Sequence, residues 1–283
     1  MTPLIEIKPH YIPGATGFFP MTAPEYFAAP GVSQSMLKQM ARSPAHMKAY
    51  LSTPRKPTPS QEFGTLVHTA LFETNLFGDA KSHYVKRLDF DGRTKNGKAW
   101  TAHHRDKPCL TAEEAEAIIG IHRSIRAHIY GAGLIGALGI AEVSGFFYNE
   151  ELGLVQKIRP DRIVQRDDGL LFLLDAKTTD DASKEGFRRE IEKWGYHRQA
   201  AYYLDVCAAL GVEIADFLWL AVEKEPPYAV GVYNLTKDDI EVGRKMYRRE
   251  LALYAKCEDE GRWPAYSEDI ETISLSRWVR ERV

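Results

Sequence analysis

Apolar positions fall at helical spacing in the first half of this chain and at strand-like spacing from about residue 142 onward, so the two halves predict different elements. Ser33, Gln34, Ser35, Met36 and Leu37 open a helix toward Arg42, Ser43 and Pro44, with the Ser33 hydroxyl as a candidate N-cap. A second helix is expected after that proline. Three prolines between Thr53 and Ser60 predict a loop, after which residues 63–73 return to helical spacing and should be mostly buried. Residues 79–108 are polar, and 91–98 are the most loop-like and basic part of them. Thr111 predicts the cap of a long helix reaching about Tyr130.

Strands are expected at 143–148, 154–164 and 170–176, separated by glycine or acidic turn residues. An amphipathic helix follows over about 185–210, then strands at 217–222 and 229–235, then a helix from Lys237 to about Glu260. Helices, a three-strand meander, one helix, two strands and a helix predict an α/β fold: a mixed sheet flanked by helices, with a helical N-terminal elaboration. Residues 1–30 combine proline, glycine and aromatics without periodicity, which predicts an irregular arm laid on the body. No internal repeat or low-complexity tract interrupts this order.

Composition narrows the class. With 283 residues, 44% hydrophobic and 27% charged, the chain is of ordinary soluble globular type, forming one large domain or two small ones. No signal pattern opens it and no apolar run approaches the roughly 18 residues that span a bilayer, so a cytoplasmic protein without membrane contact is expected. Cys109, Cys207 and Cys257 are too dispersed for a zinc knuckle and odd in number for a disulfide framework, which leaves buried thiols. A net charge of −2 excludes coating of nucleic acid by bulk electrostatics and leaves a local basic groove open. No phosphate-binding Walker sequence is present, so no use of ATP is expected. Gly131 to Gly136 spell the dinucleotide fingerprint GxGxxG, but after a predicted helix where that fingerprint needs a strand, and the match is rejected.

The chemistry concentrates between residues 157 and 179. Asp161 follows Arg159 and Pro160, and Asp175 ends the apolar run 170–174. If the two runs form an antiparallel hairpin, their ends lie side by side, and Asp175 and Lys177, two apart, share a face. Two carboxylates suited to Mg²⁺ beside a lysine are the parts of metal-assisted attack on phosphate. A plain salt bridge between Asp175 and Lys177 is the alternative for that pair alone; Asp161 beside it favours the metal. Glu142, at the start of the preceding predicted strand, is placed to add a third carboxylate. Lys177 would stabilise charge developing on the phosphate or orient the attacking water. His68, on an apolar helix, would alone be a core histidine. The pairs His122/His128 and His103/His104 lack metal-binding spacing. Gln199 and Tyr203, four apart on the helix after Lys177, project from one face toward a nucleotide or phosphate. Lys184, Arg188, Arg189, Lys193 and Arg198 lend that region a basic lean, diluted by Glu185, Glu190 and Glu192; with Arg159, the arginines Arg188, Arg189 and Arg198 are the candidate contacts to the DNA backbone.

In order, Gly64-Thr65-Leu66-Val67-His68, Glu142, Arg159-Pro160-Asp161, Asp175-Ala176-Lys177 and Gln199-x-x-x-Tyr203 resemble the PD-(D/E)XK nuclease superfamily. The upstream histidine and the Gln/Tyr helix are similar to its RecB-like branch. Ser33 to Leu37 with Arg42-Ser43-Pro44 add a similarity to the RecE-type exodeoxyribonuclease VIII group of phages and prophages. The resemblance covers about residues 31–235. It implies a restriction-endonuclease-like fold, with one nuclease domain over 31–283 and a catalytic core at about 140–235. It further implies a Mg²⁺-dependent exonuclease, with Mn²⁺ able to substitute, that degrades one strand of linear double-stranded DNA 5′ to 3′. The single-strand overhang would pass to an annealing protein in recombination, and relatives that form rings imply a homo-oligomer. By the same resemblance His68, Asp161, Asp175 and the Ala176 carbonyl bind metal, Lys177 assists attack, and Gln199 and Tyr203 position substrate. Aspartate at 175 is an allowed variant, and three scattered cysteines cannot hold an iron–sulfur cluster. A structure-selective or restriction-type endonuclease and a non-catalytic DNA-end-binding recombination module are the competing classes; a hydrolase of small phosphoesters is more distant.

Overall fold

The computed structural model describes residues 4–53, 56–72, 85–86, 93–103 and 109–281. The first half contains β1 (Gly17–Phe19), α1 (Ala23–Ala28), α2 (Gln34–Met40), α3 (Pro44–Ser52), α4 (Pro59–Phe72), the short strand β2 (Val85–Lys86), α5 (Lys95–His103), β3 (Cys109–Leu110), α6 (Ala112–Ala127) and α7 (Ile129–Gly136). The second half contains β4 (Leu138–Ala141), β5 (Ser144–Asn149), β6 (Leu154–Ile158), β7 (Arg162–Gln165), β8 (Leu171–Thr179), α8 (Lys184–Trp194), α9 (Tyr196–Ala209), β9 (Asp216–Glu223), β10 (Val230–Tyr233), α10 (Lys237–Glu260) and α11 (Arg277–Arg280).

The mixed α/β fold with flanking helices is as expected, but the strands divide differently from the predicted meander. A five-stranded sheet runs β10-β9-β8-β7-β4, with β8 and β9 parallel and the other neighbours antiparallel, while β1, β5 and β6 form a separate antiparallel sheet. The run 154–164, expected as one strand, breaks at Arg159, Pro160 and Asp161, where the chain crosses from one sheet to the other. Proline has no N–H to give a strand ladder, so a ladder ends there at little cost. The strand β4 was not expected. It is the edge partner of β7, and Arg162 from β7 donates to the Ile135 and Ala137 carbonyls at 2.6 and 2.7 Å, closing the C-terminal end of α7.

Side chains alternate across β8 and β9, so each strand feeds two cores. Leu173, Phe217 and Trp219 pack with Ala200, Ala201 and Val206 of α9 and with Leu251 of α10. Leu174, Ala176, Leu220 and Val222 pack on the other face with Val67 and Leu71 of α4 and Ile121 and Ile125 of α6. α4 therefore lies against one face of the central strand and α9 against the other.

Several helix limits follow local chemistry. Thr111 accepts from the Glu114 N–H and Glu114 reaches back to the Thr111 N–H, the reciprocal cap that starts α6. α6 stops at Ala127, short of the expected end, because His128 caps a new helix by accepting from the Gly131 N–H at 3.1 Å. The Gly131 to Gly136 stretch lies inside that helix. Ser33 holds the N-cap position of α2, but its hydroxyl turns to Ser35 at 3.0 Å. The single helix expected over 185–210 is two. Gly195 between α8 and α9 has φ 72°, a left-handed conformation that glycine adopts without a Cβ penalty. Lys95 to Lys98, expected as loop, begin α5; Asp91 and Gly92, and most of 79–108, lie outside the described residues.

The N-terminal arm is more ordered than expected. β1 adds an edge to β5, Thr22 caps α1 with Glu25 in a reciprocal box, and Phe19, Tyr26 and Phe146 form a small aromatic core with Tyr11. Buried Lys157 of β6 donates to the carbonyls of Tyr26 and Ala29 at 3.0 and 2.6 Å, satisfying the free C-terminal end of α1. Cys207 and Cys257 are buried free thiols. Among the described residues no helix is long and apolar enough to cross a membrane.

Candidate metal centre

The turn at 159–161 delivers Asp161 to the start of β7, and the antiparallel register Arg162↔Leu174 sets it beside Asp175 and Ala176 on β8. The Ala176 N–H donates to Asp161 Oδ2 at 2.8 Å. His68 enters from α4, with Nδ1 3.2 Å from Asp161 Oδ2 and Nε2 2.7 Å from the Ala176 carbonyl. Both ring nitrogens face oxygen acceptors, an arrangement that favours the positive charge of the doubly protonated ring. Burial opposes that charge, but Asp161 outweighs it and raises the His68 pKa above its ordinary value. The same contact, against the effect of burial, holds the Asp161 carboxyl below the ordinary range.

Asp175 is only 3% exposed. Its Oδ1 accepts from Gln199 Nε2 at 2.8 Å, and its Oδ2 lies against the Lys177 ammonium as an ion pair yet accepts no well-directed hydrogen bond. Burial pushes the Asp175 carboxyl above the ordinary range despite the pull of Lys177. Burial acts in the opposite sense on Lys177, where Asp175 and then Asp161 prevail and hold its pKa far above that of an ordinary lysine. Lys177 is therefore a fixed cation at neutral pH. The Tyr196 ring stands against it, with Nζ 5.1 Å from the ring centroid.

Glu142 lies in the connection between β4 and β5 rather than in a strand, at φ 54°, a left-handed conformation uncommon outside glycine. Its N–H donates to the Asp161 carbonyl at 3.0 Å, which fastens this strained residue to the turn. Its carboxylate accepts from Arg159 Nε at 2.8 Å, and burial followed by the nearby Asp161 raises its pKa. One ligand atom each from His68, Glu142 and Asp161 lie within 4.8 Å of one another.

These residues fit a divalent cation. Three carboxylates and a backbone carbonyl are hard oxygen donors of the kind Mg²⁺ and Mn²⁺ take, and one imidazole is compatible with Mn²⁺. Two observations bear on the fit: the Asp175 Oδ2 is buried without a directed hydrogen bond, and the ligand atoms of His68, Glu142 and Asp161 are gathered within reach of one ion.

The expected residues divide into two groups. His68, Glu142, Asp161, Asp175, Ala176, Lys177 and Gln199 meet at this place. Tyr203 reaches the turn itself, its hydroxyl donating to the Arg159 carbonyl at 3.4 Å. Arg159 and Arg198, expected to meet DNA phosphates, are each only 12% exposed and turned inward. Arg159 donates to Glu142, to the Met21 carbonyl and to Ser144 Oγ; Arg198 pairs with buried Glu250 of α10. A buried carboxylate recruits the nearest guanidinium, because an unpaired charge there is costly. Arg188 and Arg189 stand exposed on α8, engaged by Glu185 and Glu192 and by Asp181 respectively. Tyr196 was not singled out by the sequence, although its spacing from Gln199 and Tyr203, three and then four residues, puts all three on one face of α9.

A family model described as PDDEXK-like domain of unknown function (DUF3799) matches residues 33–276. The chain belongs to this PDDEXK-like family. The expected membership of the PD-(D/E)XK superfamily is thus met, and the fold agrees with it. The solved structure of an Eubacterium rectale protein described as "Putative exonuclease" aligns over 91% of this chain and 96% of its own, with a TM-score of 0.58 and 13% identity. At that identity the likeness concerns the fold. A second solved structure, SSO0001, covers 67% of this chain and 85% of its own at 16% identity and a TM-score of 0.29, too slight a likeness to bear on the fold. No curated protein matches the sequence.

Proposed function

We propose that this PDDEXK-like protein is a divalent-metal-dependent exodeoxyribonuclease. It degrades one strand of linear double-stranded DNA 5′ to 3′ and leaves an overhang for a single-strand annealing protein. The observation that carries the reading is the meeting of His68, Asp161, Asp175 and Lys177 at the crossing between the two sheets. Similarity in fold to a protein named as an exonuclease supports the choice of exonuclease over endonuclease.

His68, Asp161, Asp175 and the Ala176 carbonyl would hold Mg²⁺ or Mn²⁺, with Glu142 completing the set. When bound, the ion supplies Lewis-acid polarisation of the phosphate and acidifies water. The chain's own residues do the rest. Lys177, a permanent cation, stabilises negative charge on the phosphate and is not a proton acceptor at neutral pH. Gln199 fixes the Asp175 carboxylate by donating to Oδ1, leaving Oδ2 directed at Lys177. Tyr203 and Arg159 are positioning residues: one holds the turn that presents Asp161, the other orients Glu142. Arg188 and Arg189, both exposed on α8, contact backbone phosphates by exchange of their acidic partners.

The test uses linear duplex DNA labelled separately at each 5′ end, with and without Mg²⁺ or Mn²⁺, beside a covalently closed circle. Metal-dependent release of 5′ label with the circle intact is expected. A cut circle would establish an endonuclease instead, and intact DNA of both forms would leave a DNA-end-binding module.

A further inference from the structure

Trp194, the last residue of α8, is 39% exposed, and two lysine ammoniums from different elements lie over its indole. Lys38 of α2 is 4.5 Å from the ring centroid and Lys193 of α8 is 4.6 Å from it. Neither lysine has a carboxylate partner among the described residues. The indole N–H donates to Glu190 Oε2 at 2.5 Å, which fixes the ring's orientation, and Glu190 is the acidic group at the place. Arg198, already paired with Glu250, adds a third positive charge close to Lys38; burial and that neighbour lower the Lys38 pKa.

This cluster adjoins the metal centre. Gly195 turns the chain from α8 into α9, and Tyr196, one residue beyond the turn, packs on Lys177. Tyr196 against Lys177 and Trp194 beneath Lys38 and Lys193 are thus only two residues apart in the chain, on either side of the Gly195 turn. An exposed ring flanked by lysines without carboxylate partners among the described residues is what an unpaired DNA strand needs, since every base presents a face that stacks and every linkage carries a phosphate. A lysine–indole contact at an exposed ring is weaker than a base stacked on it, so a base displaces the ammoniums, which then have phosphates within reach of their flexible stems.

Resting on the nuclease reading above, we propose that Trp194, Lys38 and Lys193 form a station that stacks an unpaired nucleotide of the DNA strand beside the metal centre and contacts its phosphates. The ligand class is single-stranded DNA without sequence preference.

The test measures anisotropy of a fluorescein-labelled, 5′-phosphorylated oligothymidylate in EDTA, so that no cleavage occurs. Trp194→Ala is expected to weaken binding about 10-fold, whereas Trp194→Phe, which keeps a ring, stays within about 3-fold of the unaltered protein. The double variant Lys38→Gln/Lys193→Gln is expected to shallow the slope of log Kd against log salt by about 1.4, two phosphate contacts on a single strand. That double variant carries the test alone if Trp194→Ala fails to fold. Binding by Trp194→Ala within about 2-fold of the unaltered protein, an unchanged salt slope in the double variant, or no binding by the unaltered protein would each overturn the station. Cleavage of linear duplex with Mg²⁺ is read in parallel. Its absence, with Trp194-dependent binding retained, removes the nuclease reading and leaves the station standing; cleavage with Trp194-independent binding does the reverse.

Discussion

Asp175 and Lys177 are each other's main electrostatic partner in a nearly dry position, and that decides how their substitutions should behave. Lys177→Met leaves a buried carboxylate without its cation and should cost about 3–5 kcal/mol of stability. Adding Asp175→Asn to it removes the unpaired charge, so the double variant should be more stable than Lys177→Met alone. Urea denaturation of the unaltered protein and the two variants checks this ordering, and cleavage should fall at least about 100-fold in both variants. Metal provides a second residue-level test. Mn²⁺ at about 100 times its Kd should stabilise the unaltered protein by about 2.7 kcal/mol, and Asp161→Asn should lose most of that gain. A thermal shift equal in both proteins would place the ion elsewhere.

The elements that carry these residues are held by a few specific contacts. Gly195 has φ 72°, and a Cβ there would lie 2.5 Å from a guanidinium nitrogen of Arg198. Gly195→Ala should therefore lower stability by about 1–3 kcal/mol and, by displacing Arg198 and the start of α9, reduce cleavage through Gln199. A circular dichroism melt indistinguishable from the unaltered protein would refute the strain. At the other end of the fold, Lys157→Met strips the donor from the carbonyls of Tyr26 and Ala29 at the end of α1. The expected result is faster proteolysis within residues 1–30 while the rest of the chain stays intact, with about 1–3 kcal/mol lost. At this scale much was legible. The cap at Thr111 and the limits of α10 follow from residues within one or two turns, whereas α4 begins at Pro59, inside the run expected as loop, because a proline is tolerated in the first turn of a helix. The break at Gly195 was also written locally, as a glycine inside a helical pattern. The pattern on both sides continued at the same period and masked it.

Across the whole molecule, α9 and α10 are tied by Asp205, which accepts from Arg244, Tyr247 and Arg248. Burial would raise this carboxyl, but the hydrogen bonds from Arg244 and Tyr247 prevail and hold it below the ordinary range. A depressed folded pKa means that the stabilisation is present above the unfolded value near pH 4 and is lost as pH falls through the folded one. Asp205→Asn should thus cost about 1–3 kcal/mol at neutral pH, and the gap to the unaltered protein should close below about pH 4. Stability curves of both proteins against pH test the sign: a gap that widens in acid would contradict it.

The sequence by itself determined the class of fold, the strands near 170–176, 217–222 and 229–235 and the helix from Lys237 to about Glu260, and it singled out the acids, lysine, histidine and glutamine that meet at the candidate metal centre. Those features depend on periodicity, caps and motif spacing, which act over a few residues. Tertiary structure alone decided that the run 154–164 divides between two sheets, because the choice of ladder at Arg159 to Asp161 depends on β1 and β4 being present to pair. It also decided which cations remain available. Arg159 is drawn to Glu142, 17 residues away, and Arg198 to Glu250, 52 residues away, while Lys38 and Lys193 arrive at Trp194 from separate helices and form no ion pair among the described residues. A charged side chain's partner is set by which carboxylate is buried beside it, and that neighbour is chosen by packing between distant segments rather than by the local sequence.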